Sequence, residues 1–132
     1  MTIYVDRTKK EFNINDSALA SEDLSDRQFT CVVAGGGATG NMTVGSPGAG
    51  DEIYGVLENA PAEDAIAEIV VEGICEVRSN ETFNAGIELT TDATGRVGAA
   101  VAGDFVMGIS REASQSIGHA VSVLLKHYYM GA

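Results

Sequence analysis

Gly103-Asp104-Phe105-Val106-Met107-Gly108-Ile109 occurs once before in this chain, in the form Gly50-Asp51-Glu52-Ile53-Tyr54-Gly55-Val56. Five of the seven positions match in kind, and one 53-residue offset separates Gly50 from Gly103, Gly55 from Gly108 and Ala60 from Ala113. Each copy sets Gly-Asp ahead of a short, largely β-branched run with a glycine inside it. Gly-Asp is a turn signal, and a glycine within a strand marks a bulge or the close approach of another backbone. Gly50, Asp51, Gly55, Gly103, Asp104 and Gly108 are therefore read as structural turn and strand positions. They supply scaffold and no chemistry.

Downstream of the first copy, read as a strand over 51 to 58, the alternation continues. Ala67, Ile69, Val71, Gly73, Cys75 and Val77 face one way and Glu68, Glu72 and Glu76 the other, which predicts one long half-buried strand. The four-residue spacing of the glutamates leaves a helix open for residues 62 to 66; beyond that, Gly73 and the β-branched residues oppose it. After the second copy, over 103 to 111, Val121, Val123 and Leu125 alternate in the same manner. They align with Ile69, Val71 and Gly73 at an offset of 52, as though one residue were lost on the way. The repeat is thus a β-loop-β unit used twice. Between the copies, Ile87–Thr90 and Arg96–Ala100 flank Thr91-Asp-Ala-Thr-Gly95, whose Asp at the turn start and Gly at the position needing positive φ predict a hairpin.

Upstream, Phe29, Cys31 and Val33 mark a strand that runs into Gly35-Gly-Gly37-Ala-Thr-Gly40. That stretch fits a dinucleotide fingerprint, which requires a helix to begin there so that its amides meet the pyrophosphate. Residues 41 to 50 hold three glycines and a proline instead, and no Lys-Ser or Lys-Thr follows for a phosphate loop, so a turning loop is expected. Residues 1 to 28 are polar and carry the acidic run Ser21-Glu-Asp-Leu-Ser-Asp26. We read them as an N-terminal arm ahead of a body over 29 to 132, the alternative being an edge strand with a helical turn around Ser17 to Leu24. Thr2, Ile3, Tyr4 and Val5 are β-prone and suited to adding a strand to a sheet edge of a partner, or else to pairing within their own subunit.

The 132 residues suffice for one domain; 45% are hydrophobic and 16 are glycine, a balance that suits all-β structure. The expected core comprises Phe29, Cys31, Val33, Ile53, Val56, Ile69, Val71, Cys75, Ile87, Leu89, Val106, Ile109, Val121 and Val123. With 19 acidic against 8 basic residues, the formal charge of −11 repels a phosphate backbone, which argues against nucleic acid as a partner. No leader pattern and no run of 18 apolar residues appears, so a soluble protein made in the cytoplasm, with no membrane partner, is expected. Cys31 and Cys75 have no metal-ligand spacing and are expected as free thiols. Asn41-Met-Thr43 and Asn80-Glu-Thr82 match the glycosylation acceptor pattern by chance.

Nothing in the sequence assembles a reactive centre. The glutamates of 68 to 76 read as a solvated strand face, and no nucleophile elbow occurs. His119 and His127 stand about 26 Å apart along an extended strand at about 3.3 Å per residue, too far to share a metal. No enzyme activity, cofactor or metal is expected. Tyr128 and Tyr129, beside Met130, either cover a subunit contact or finish a strand.

The two copies, Val70-Val-Glu-Gly73-Ile and Phe83-Asn-Ala-Gly86-Ile-Glu-Leu-Thr-Thr-Asp92-Ala-Thr-Gly95-Arg-Val, followed by a last apolar strand, together resemble the capsid decoration, or cement, proteins of phages, similar to the head decoration proteins of lambdoid phages. The resemblance implies an all-β, compact barrel or β-tulip-like body with an extended N-terminal arm. It further implies a homotrimer on the outer surface of the virion that binds the major capsid protein of the expanded head and clamps neighbouring subunits. Two other classes stand beside it: a tail or fibre-associated adhesin module, and a small β-barrel that binds a ligand or acts as an enzyme.

Overall fold

In the computed structural model, which describes residues 12 to 37 and 40 to 131, the chain forms ten strands and no α-helix among the described residues. They are β1 (Ile14–Ala20), β2 (Cys31–Gly36), β3 (Met42–Gly45), β4 (Gly55–Leu57), β5 (Ile66–Glu72), β6 (Ile74–Arg78), β7 (Glu88–Thr91), β8 (Val97–Ala99), β9 (Phe105–Ser110) and β10 (Ala120–Tyr129). Five close into a barrel in the order β1-β3-β2-β4-β5, and five form an open sheet in the order β6-β10-β9-β7-β8. The expected all-β class and the barrel are both present. Among the described residues no helix is long and apolar enough to cross a membrane.

The barrel wall has a core on each side. Val32, Leu57 and Ile69 point into the barrel with Ala20, Leu24 and Val44, whereas their neighbours Cys31, Val56 and Val70 pack outward against Cys75, Val77, Leu89, Met107, Val121 and Val123 of the second sheet. Consecutive residues of β4 and β5 are therefore buried, as in strands covered on both faces. Strict alternation misses this. Phe29, Val33, Val71, Ile87 and Ile109, all expected in the core, are only partly buried, and Val32, Leu57 and Val70 take core places instead. Phe29 is not in a strand at all; its φ of 64° turns the chain so that its N–H donates to Leu57 O and its carbonyl accepts from the Arg78 N–H.

Three further expectations are corrected. The long strand over 67 to 77 is cut at Gly73, whose φ of 116° lets the chain leave the barrel as β5 and enter the open sheet as β6. Asn13 takes the place of a neighbouring strand there: its Oδ1 accepts the Ile74 N–H and its Nδ2 donates to Ile74 O, both at 2.9 Å. Residues 13 to 28 are thus not an arm. β1 lies between β3 and β5 as a stave of the barrel, and Leu24 fills its interior, because a closed barrel binds even a largely exposed strand through its backbone on both edges. Residues 62 to 66 hold turns and the start of β5, not a helix, with Asp64 at φ 65°.

The repeat proves to be a repeated piece of three-dimensional structure. In both copies the Asp carboxylate accepts the amide three residues back: Asp51 from Gly48 at 2.7 Å and Asp104 from Val101 at 3.0 Å, with Gly50 and Gly103 at φ 75° and 96°. The two turns also touch, since the Phe105 N–H donates to Gly50 O at 3.0 Å. Leu57 lies opposite Ile69 across β4 and β5, as Ser110 lies opposite Val123 across β9 and β10. Val123 follows Ile69 by 54 residues, so the second copy has gained a residue where alternation suggested a loss. Offsets of 52 and 54 place side chains on the same face, and a period of two is blind to the difference.

Candidate interaction surfaces

The residues singled out for chemistry stay apart. Among the described residues no three His, Cys, Asp or Glu side chains are grouped to hold a metal ion. His127 is exposed near Val71 O, and His119 lies just before β10. The glycine-rich stretch is the β2-β3 hairpin, where Gly36 faces Met42 and the Gly37 N–H donates to Asn41 O at 2.9 Å. A strand stands where a dinucleotide site needs a helix N-terminus.

Cys31 and Cys75 are free and buried between the barrel and the open sheet. Burial pushes the Cys31 thiol up to about 12, the Thr91 hydrogen bond opposing it weakly, and burial likewise pushes Cys75 up. Neither forms a useful thiolate near neutrality. A disulfide-exchange reagent is therefore expected to find no reactive thiol in the native protein at pH 8 and both cysteines after denaturation. Rapid native reaction would contradict this burial.

Three exposed surfaces stand out among the described residues. On the barrel, Leu19 and Ile66 face each other across β1 and β5, 40% and 58% exposed, beside Met42. On the outer face of the open sheet, register aligns Ile74, Leu124, Ile109 and Glu88 in one row. Tyr128 hydrogen-bonds Glu88 at the end of that row, and this bond holds the phenol pKa above its usual value. Tyr129 stacks obliquely on Phe105 with centroids 5.1 Å apart. The two tyrosines therefore both finish β10 and stay exposed, while Thr2, Ile3, Tyr4 and Val5 lie outside the described residues.

The third surface is a polar cleft of about 490 Å³ between the loop that carries Asp26, Arg27 and Thr30 and the β7-β8 turn. Asp92 builds that turn, its Oδ1 accepting from Thr94 N–H, Thr94 Oγ1–H and Arg96 N–H and its Oδ2 from Asn80 Nδ2. Partial burial raises the carboxyl pKa, but these four donors outweigh it and hold the group below its ordinary value. Arg27 ties the barrel to the turn by donating to Ser46 Oγ and Thr94 O. The hairpin was legible in Thr91-Asp-Ala-Thr-Gly95, but the cleft was not, because its walls come from segments more than 60 residues apart in sequence.

No protein-family model and no curated protein sequence matches the chain. Among solved structures, the chain is similar in fold to the N base of head fiber gp8.5 of bacteriophage phi29, with a TM-score of 0.73 and 13% identity over 92% of this chain and 100% of that one. What the two share is the fold.

Proposed function

We propose that this protein is a structural component of a phage head that carries out no chemistry. It sits on the outer surface of the expanded shell as a decoration protein, binds the major capsid protein and clamps neighbouring subunits as a homotrimer. The observation that carries this reading is the likeness, over nearly the whole chain, to the base of a head fiber. The charge of −11 keeps such a protein away from DNA and in solution before assembly, and repeated weak contacts around a symmetric oligomer give lasting attachment without one strong interface.

The same neighbour favours a second reading, in which the body is the base of a fibre-like appendage. The two differ in what happens when the protein is missing. A clamp leaves undecorated heads that lose their DNA at lower temperature, and a fibre base leaves heads of unchanged stability. Purified protein added to undecorated heads should cosediment with them and release as salt rises, because exposed charge pairs such as those of Asp23 and Asp26 are screened within about 8–10 Å. Deleting residues 1 to 11 tests the proposed arm and keeps all of β1 in the chain; deleting 1 to 20 would remove a stave of the barrel. Cosedimentation undiminished by that deletion and insensitive to salt would remove the arm and the acidic run from the contact.

A further inference from the structure

β1 runs along β5 from Ile14 to Leu19 on one edge, but on the other it pairs with β3 only at Leu19 and Ala20 among the described residues. The Ala20 N–H donates to Ala65 O on the β5 side, so by the antiparallel alternation Asn15 and Ser17 turn their N–H and C=O groups to the opposite edge. The Ser17 N–H is met there by the carboxylate of its own neighbour, Asp16, at 2.8 Å. An edge of this kind accepts another strand. The outer face beside it is ordered along its length. Leu19 and Ile66, 40% and 58% exposed, form one rung and line a groove of about 340 Å³ with Asn41 and Met42, whereas Ser17 with Glu68, and Ile14 with Glu72, form rungs nearer the start of β1. Both glutamates are exposed.

The residues that lead into β1 carry the same order in reverse. Ile3 and Val5, then Arg7 and Lys9, stand at alternate positions, which a strand sets on one face. We propose that residues 3 to 9 fold back antiparallel to β1 along its open edge, with Lys9 beside Asn15 and Arg7 beside Ser17, and carry Val5 and Ile3 into the groove against Leu19 and Ile66. This register leaves residues 10 to 14 for the turn, a hairpin length, and Asn13 within that turn is already anchored on Ile74. β3 holds the edge from Leu19 onward, so backbone pairing stops after Ser17 and Val5 passes into the groove. From Lys9 to Ile3 the segment spans about 20 Å at about 3.3 Å per residue, enough to pass Leu19. Ser17 is small, and across it the Arg7 guanidinium faces Glu68 on the strand beyond. The segment is the occupant that fits, because it ends at this edge and sets cations where the face sets carboxylates.

The full chain with Arg7→Cys and Ser17→Cys should close a disulfide within one chain on mild oxidation, since directly opposed residues on this edge stand about 5.5 Å apart, within disulfide range. Thr8→Cys with Ser17→Cys has nearly the same tether but the opposite face, and should close at least about 10-fold more slowly. Cys31 and Cys75 are buried and do not compete. A second measurement needs no added cysteine. The Asn15 N–H, on the open edge, should exchange at least about 10-fold more slowly in the full chain than in a chain lacking residues 1 to 11. Equal closure of the two cysteine pairs, a disulfide that joins two chains, or an Asn15 exchange rate that the deletion leaves unchanged overturns the proposal. Neither experiment involves a phage head, so the proposed function stands or falls separately.

Discussion

Gly108→Val should destabilise the protein by about 3 kcal/mol, and Gly55→Val by a similar amount, a fall in Tm on the order of 10 °C. A Cβ on Gly108 would come within 2.5 Å of Val123 Cγ1 and 2.6 Å of Leu124 O; one on Gly55 would come within 2.5 Å of both Ile69 Cγ2 and Val70 O. The obstacle is the same in the two copies: a side chain and a carbonyl on the strand alongside. Since the carbonyl belongs to the backbone of β10 or β5, relief requires the strands to part. Gly36→Ala is the control, because nothing lies within 4 Å of its added Cβ. Thermal unfolding of the three variants checks this, and wild-type melting of both valine variants would mean that the strands are not held at this distance.

Asp92→Ala should cost about 2 kcal/mol, since it leaves the amides of Thr94 and Arg96 and the Asn80 side chain without their acceptor. The carboxylate also gives the turn a pH dependence of definite sign. Its folded pKa lies below the unfolded value of about 3.9, so its contribution is complete above that value and is lost as pH falls through the folded one. Asp92→Asn should flatten that part of the acid-unfolding profile. Chemical denaturation between about pH 2 and pH 6 gives the comparison, and parallel profiles for variant and wild type would assign the acid sensitivity to other carboxylates.

Much of the fold was legible where local chemistry and global position agree. Gly-Asp turns, the Thr91–Gly95 hairpin and the strands after the second Gly-Asp each follow from the residues themselves. Three features depend on partners distant in sequence and were not legible. β1 carries Asn15, Asp16 and Ser17 in its middle and is exposed along most of its length, and only closure of the barrel makes it a strand. Val32, Leu57 and Val70 are buried because the barrel wall faces two cores, which no single strand announces. Gly73 divides one apparent strand between two sheets, and its positive φ is fixed by the fit against Asn13. The interaction surfaces fared similarly: Tyr128 and Tyr129 stood out by their type, but the polar cleft beside Asp92 takes its walls from segments far apart in sequence.

Electron microscopy of particles assembled with and without this protein tests the central claim most directly. The proposed function predicts density on the outside of the expanded shell in particles that contain the protein, into which the barrel and the open sheet fit together, and its absence from particles that lack it. Identical particle surfaces in the two preparations, with the protein left unbound in solution, would contradict a structural role on the phage head.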